Sequence, residues 1–113
     1  MAQLFDRLNR ELEVFGRRAQ AALDEGKLQI ELLRVRRQQD AAARDLGMLI
    51  YRRERGTEVD QRRIDSLLLR LDDLAARIGS LEADLAARRR ERREQRQESD
   101  GAEPPVAAHG AAE

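Results

Sequence analysis

The stretch "DQRRIDSLLLRLDDLAARIGSLEADLAA", residues 60–87, decides the fold. Ile64, Leu67, Leu71, Leu74, Ile78, Leu81 and Leu85 follow one another at steps of 3, 4, 3, 4, 3 and 4. That is three heptads in which every a and d position is aliphatic, the pattern of a helix that buries one narrow seam against another helix. Its start is marked as well. Asp60 suits an N-cap, and Val59 before it is placed to staple onto Ile64.

The segment upstream, residues 27–55, supplies the partner. Leu28, Leu32, Val35, Gln39, Ala42, Leu46, Leu49 and Arg53 repeat the spacing, with one Gln and a closing Arg. Gly56 then takes the place where helices commonly end in a left-handed residue. The connection "RGTEVD" is short and polar, which favours antiparallel neighbours. Folding the chain about residues 56–57 sets Leu49 beside Ile64 and Leu28 beside Leu85. Charge agrees with this register. Residues 27–56 carry eight basic and four acidic groups, +4, whereas residues 57–87 carry four and seven, −3. The expectation is an all-α protein built on an antiparallel coiled-coil hairpin over residues 27–98.

Upstream again, Phe5, Leu8, Leu12, Phe15, Ala19 and Ala22 form a third apolar stripe at steps of 3 and 4. Its phase does not run into the hairpin seam, and continuing it would place Gly26 on the stripe. Gly26 therefore reads as a hinge, and residues 1–26 as a separate amphipathic helix, with Gly16 a weaker break. Downstream, "RRRERREQRQ" loses its apolar positions but keeps Arg/Glu pairs at helical spacing, so the helix is expected to run to about Gln97. Residues 99–113, with Gly, both prolines and small side chains, read as a disordered tail.

Composition sets limits on function. The 113 residues are 39% charged and 3% aromatic, with no Trp, which suits long solvated helices better than a thick core. Net charge is zero, but residues 88–98 are +3 (six basic, three acidic) and the tail is −3 (three acidic). There is no cysteine, which removes disulfides, thiolate metal sites and cysteine nucleophiles. The N-terminus lacks an uninterrupted apolar region of the secretory kind, and no run suits a membrane span, so a cytoplasmic location is expected. The Arg- and Ala-rich, Lys-poor usage suggests a GC-rich bacterial genome.

No residue pattern points to catalysis. His109, the single histidine, falls in the expected tail, and acid pairs such as Asp72–Asp73 sit on helix surfaces. The glycines match no phosphate loop, and Ser66, Ser80 and Ser99 have no base beside them. The chain reads as non-enzymatic, with no cofactor and no small-molecule substrate.

Association with other macromolecules is the better-supported class. The hairpin seam leaves Ile30, Leu33, Met48 and Tyr51 on a second, weaker stripe, and Leu69 stands at an outer position of the second helix. Together with Phe5, Leu8, Leu12 and Phe15 these are candidate partner contacts. The surface they offer exceeds what the hairpin buries. The N-terminal helix could fold back over it, or a second copy or another protein could cover it. Tyr51 with Arg52, Arg53 and Arg55 reads either as a docking tip for an acidic partner or as packing for the N-terminal helix. Arg88, Arg89, Arg90, Arg92 and Arg93 form a candidate basic patch for phosphates. Against that, glutamates interrupt the run and no aromatic is present to stack on bases. In the hairpin register Arg88–Arg90 also fall near Asp24 and Glu25. The N-terminal stripe could rest on a membrane surface, but Asp6, Glu11 and Glu13 oppose its arginines.

The run "FDRLNRELEVFGRRAQAALDEGKLQIELLRVRRQQDAAARDLGMLIYRRERG", residues 5–56, resembles small bacterial helical proteins that begin with an "FD-L-EL---G--A" helix and carry an "LG-L-Y" element before a hairpin turn. The resemblance extends over about residues 5–85. It implies a coiled-coil hairpin and a bacterial, non-enzymatic accessory role. Some proteins of this kind end in a zinc ribbon, which a chain without cysteine cannot form.

Overall fold

The computed structural model describes the backbone of residues 2–102 and the side chains of residues 2–98. Two helices make up nearly all of it: α1, Ala2–Glu54, and α2, Gln61–Ala102. They pack as an antiparallel coiled-coil hairpin, and no strand occurs among the described residues.

The turn is built by local chemistry. Gly56 has φ +92°, a conformation that costs a residue with a Cβ but not glycine. Its N–H donates to the Arg53 carbonyl at 3.0 Å, and the Thr57 N–H donates to the Arg52 carbonyl at 2.9 Å. These two bonds are the Schellman pair, which satisfies carbonyls that the helix end leaves open. Arg52 and Arg53 in the last turn also complement the negative end of the helix dipole. On the far side, the Asp60 carboxylate accepts the Arg62 N–H at 3.0 Å and so caps α2. Val59 is half-buried and Ile64 is buried, as a hydrophobic staple requires.

The seam lies where the two heptad patterns face each other. Leu32, Val35, Ala42, Leu49, Ile64, Leu74, Leu81 and Leu85 are buried. Leu28, Leu46, Leu67, Leu71 and Ile78 are half-buried. Val35, 1% exposed, is the most enclosed. Ion pairs between the helices record the register: Glu31 with Arg77 at 2.8 Å, Arg36 with Glu82 at 2.8 Å, and Glu25 with Arg92 at 2.7 Å. Each joins residues placed about symmetrically around the turn.

Gly26 is not a hinge. α1 runs unbroken through Gly16, Gly26 and Gly47, so residues 1–26 contribute the first half of a 53-residue helix rather than a helix of their own. At about 1.5 Å per residue this helix is roughly 80 Å long. The long axis of the molecule, 80 Å, has the same length, so the N-terminal half points away from the turn and does not fold back. A glycine inside a helix costs only about 1 kcal/mol relative to alanine. The hydrogen bonds on either side, anchored by packing at Glu25 and Leu28, outweigh that. At the other end α2 reaches Ala102, past the expected Gln97, and takes in residues 99–102 of the segment read as tail. The first proline of the sequence is Pro104, so nothing upstream of it obliges the helix to stop. The rest of the expected tail, residues 103–113 with His109, lies outside the described residues.

Candidate interaction surface

Continuity through Gly26 changes what the apolar stripes mean. Successive residues of an α-helix turn by about 100°. On that geometry the seam of α1 occupies one side, and the N-terminal stripe (Phe5, Leu8, Leu12, Phe15) falls on the opposite side. Ile30, Leu33, Met48 and Tyr51 fall there too. The two stripes separated in the sequence reading are thus one face, running from Leu4 to Tyr51 at steps of three and four. Two places take consecutive steps of four, Ala22–Gly26–Ile30 and Leu33–Arg37–Ala41. Such steps keep a straight helix in phase where a strict heptad would wind off.

Exposure singles this face out. Eleven large hydrophobic residues of α1 are exposed, and all but Val14 lie on it. Phe5 is 65% exposed, Phe15 72%, Ile30 72% and Tyr51 58%. Scattered exposed leucines are ordinary, but here they line up on one side of the helix in two stretches, Leu4 to Leu33 and Met48 to Tyr51, with Arg37, Ala41 and Arg44 between them. Leu4 and Leu23 belong to it and escaped the sequence reading. Helical geometry at 100° per residue, applied to the N-terminal stripe, would have found both, since Leu4 and Leu23 stand four residues from Leu8 and Ala19. A shallow groove on the same face is bounded by Ile30, Leu33, Arg34, Arg37, Gln38 and Ala41.

The corresponding face of α2 is different. Around Leu69 it presents Arg62, Asp65, Ser66, Arg70 and Asp73. Leu69, 67% exposed, is isolated among polar neighbours, with Leu68 at its flank. It does not join the other candidate contacts, which all lie on α1.

Tyr51 does not pack on the N-terminal half of α1, which runs the other way. Its ring carries the Arg55 guanidinium 5.7 Å from the centroid, a cation–π contact at the exposed turn. Met48, 49% exposed, is one turn away on the same face.

The arginine run is partly engaged by its own chain. Arg92 donates to the Glu25 carboxylate at 2.7 Å and Arg89 stands 3.9 Å from it. Glu25 is 7% exposed, a buried acid held by two arginines at the point where the packed part of the hairpin ends. Beyond it no described residue of either helix is buried. Arg88 is half-buried, while Arg90 and Arg93 are exposed. Asp24 is met by Gln20, which donates to it at 3.1 Å, and not by Arg88–Arg90 as the register suggested. Nearer the turn, the Arg77 hydrogen bond holds the Glu31 carboxyl below the usual glutamate range, and the charge of Arg34 acts the same way.

Among the described residues no cluster of three or more His, Cys, Asp or Glu is placed to hold a metal ion, and no helix is long and apolar enough to cross a membrane. Comparison with known proteins gives no match to a family model, a curated protein or a solved structure. The resemblance to small bacterial hairpin proteins therefore rests on the quoted residues alone.

Proposed function

We propose that this is a non-enzymatic structural protein that associates with other protein chains through the outer face of α1. The observation that carries this reading is the single apolar face from Leu4 to Tyr51, left uncovered by the hairpin. The hairpin supplies the support. It packs α2 against the C-terminal half of α1 and leaves the outer face of that helix uncovered. Helix-in-groove and coiled-coil recognition both use such faces, with anchors at steps of three and four.

A photo-crosslinking residue placed at Met48 tests the reading in cells expressing the full chain, with Ser80 on α2 as the control site. Protein adducts should form from Met48, and adding Leu12→Glu to that chain should abolish them. Equal adducts from both sites, or none from Met48, would contradict it. The second reading, a nucleic-acid or membrane-surface accessory protein, draws on the basic run and the N-terminal stripe. It has less support, since Glu25 already occupies Arg89 and Arg92. Arg90→Gln with Arg93→Gln should leave DNA and liposome binding at background in both parent and variant.

A further inference from the structure

The outer face of α1 has a size pattern that suits its own reversal. Set against a second α1 running the other way, with the crossing point near residue 28, Phe5 meets Tyr51 of the second copy and Leu8 meets Met48. Nearer the centre Phe15 meets Ala41, Ala22 meets Leu33 and Gly26 meets Ile30. Long side chains pair at the ends, where Phe5 and Tyr51 make an aromatic pair. Long against short pairs fill most of the middle, as interdigitated cores do, with Arg37 set against Ala19 and Arg44 against Leu12, where its guanidinium can reach the rim. A parallel arrangement sets each residue against itself. Phe15 would then crowd Phe15, glycine would leave a gap at Gly26, and Arg37 and Arg44 would each face their own kind.

Charge favours the same choice. Residues 1–26 carry four basic and five acidic groups, −1, and residues 27–56 carry eight and four, +4. Antiparallel pairing sets the first block against the second, twice. It also brings Asp40 near Arg18 of the second copy and Arg44 near Glu11. Parallel pairing would set +4 against +4.

Gly26 fits the same pairing. A Cβ built there would meet no atom within 4 Å, as at Gly16, Gly47 and Gly79, so the folded chain itself does not call for a glycine. A glycine in the interior of a helix destabilises it, and this one, half-buried, sits on the outer face two residues from the crossing point. Glycine there lets two helices approach closely. The area is also sufficient. The ten exposed hydrophobic residues of the face present roughly 1,000 Å² per chain on ordinary residue areas, above the roughly 800 Å² per partner of a standard stable interface.

We propose that the outer face of α1 binds a second copy of this chain in antiparallel register, making a symmetric dimer. The proposal rests on the reading that this face is the docking surface, and it names the occupant. Because seam and outer face lie on opposite sides of α1, the dimer is a flat layer of four helices with the two α1 helices inside and the two α2 helices outside.

The chain has no native cysteine, so engineered ones report cleanly. One full-length chain carries Leu8→Cys, another of different mass carries Met48→Cys, and the two are mixed and oxidised. The expected product is the mixed disulfide. Sedimentation equilibrium of the native chain should give a dimer in the micromolar range. Phe15→Glu should weaken that dimer by about a hundredfold, since two symmetric sites are lost, while the helical circular dichroism is retained. Only like-with-like disulfides would overturn the antiparallel pairing. A monomer throughout the range would overturn the dimer. A monomer that still gives adducts from Met48 leaves the association reading standing, and a monomer without adducts removes both.

Discussion

Replacing Leu74 with alanine should cost the hairpin most of one leucine's worth of burial, and replacing Leu69 should cost almost nothing. The two residues lie five apart on α2. Leu74 is 6% exposed and belongs to the core cluster, while Leu69 is 67% exposed. Leu→Ala removes three carbons, worth about 0.8 kcal/mol each when buried, or roughly 2.4 kcal/mol. Cavity cost adds to this in deep cores. A two-helix seam has solvent on both flanks and closes over a lost side chain more readily, so about 2–3 kcal/mol is expected at Leu74. At Leu69 the change should stay within about 0.5 kcal/mol. Urea unfolding followed by circular dichroism reads both, at one protein concentration because association would shift apparent stability. With a slope near 1–2 kcal/mol per molar urea, the Leu74→Ala midpoint should fall by about 1–3 M at unchanged slope. Equal midpoints for Leu74→Ala and Leu69→Ala would refute the assignment of the seam.

Three further outcomes follow from the same geometry. Asp60→Ala removes the carboxylate that accepts the Arg62 N–H and should cost about 1 kcal/mol in the same urea titration, with Asp60→Asn recovering most of it. Gly26→Ala meets open space and should raise the stability of a dilute, monomeric chain by up to about 1 kcal/mol; a loss instead would mean that something already packs on Gly26 within the chain. Acid should weaken the hairpin through Glu31. Its carboxyl lies below the usual range in the folded state, so its contribution is complete above the unfolded-state value and disappears as pH falls through the ordinary glutamate range, about 4.3, towards the lowered one. Thermal midpoints at neutral pH and at about pH 3 should therefore drop less in Glu31→Gln than in the parent, and an identical drop would sink the point.

The parts of the fold that could be read in the sequence were those fixed by local rules. Strict heptads placed Leu67 and Leu81 on the seam, Gly56 marked a left-handed residue, and Asp60 marked a cap. Matching seam lengths gave the register now recorded by Glu31 with Arg77 and Arg36 with Glu82. The misreading came at Gly26. A stripe that fails to run into the next is produced either by a break in the helix or by two faces of one helix, and spacing alone does not separate them. Glycine's low propensity suggested the break. Packing on either side, at Glu25 before it and at Leu28 and Leu32 after it, settled the other way. That one change also hid that the N-terminal stripe and Ile30 share a face; Leu4 and Leu23, each four residues from a stripe member (Leu8 and Ala19), were within reach of helical spacing alone. The partner of Glu25 was similarly one turn off: Arg92 reaches it more closely than Arg89, a side-chain detail that heptad register does not specify.

The continuity of α1 is the claim on which the outer face depends, and one distance tests it. Spin labels at Glu13 and Asp45, introduced through cysteines in the otherwise cysteine-free chain and diluted with unlabelled protein, isolate the intramolecular separation. The 32 residues between them predict about 48 Å along an unbroken helix at 1.5 Å per residue. A dipolar distance centred near that value is the expected result. A distribution centred below about 25 Å, as two packed helices joined at Gly26 would give, contradicts the continuous face and everything built on it.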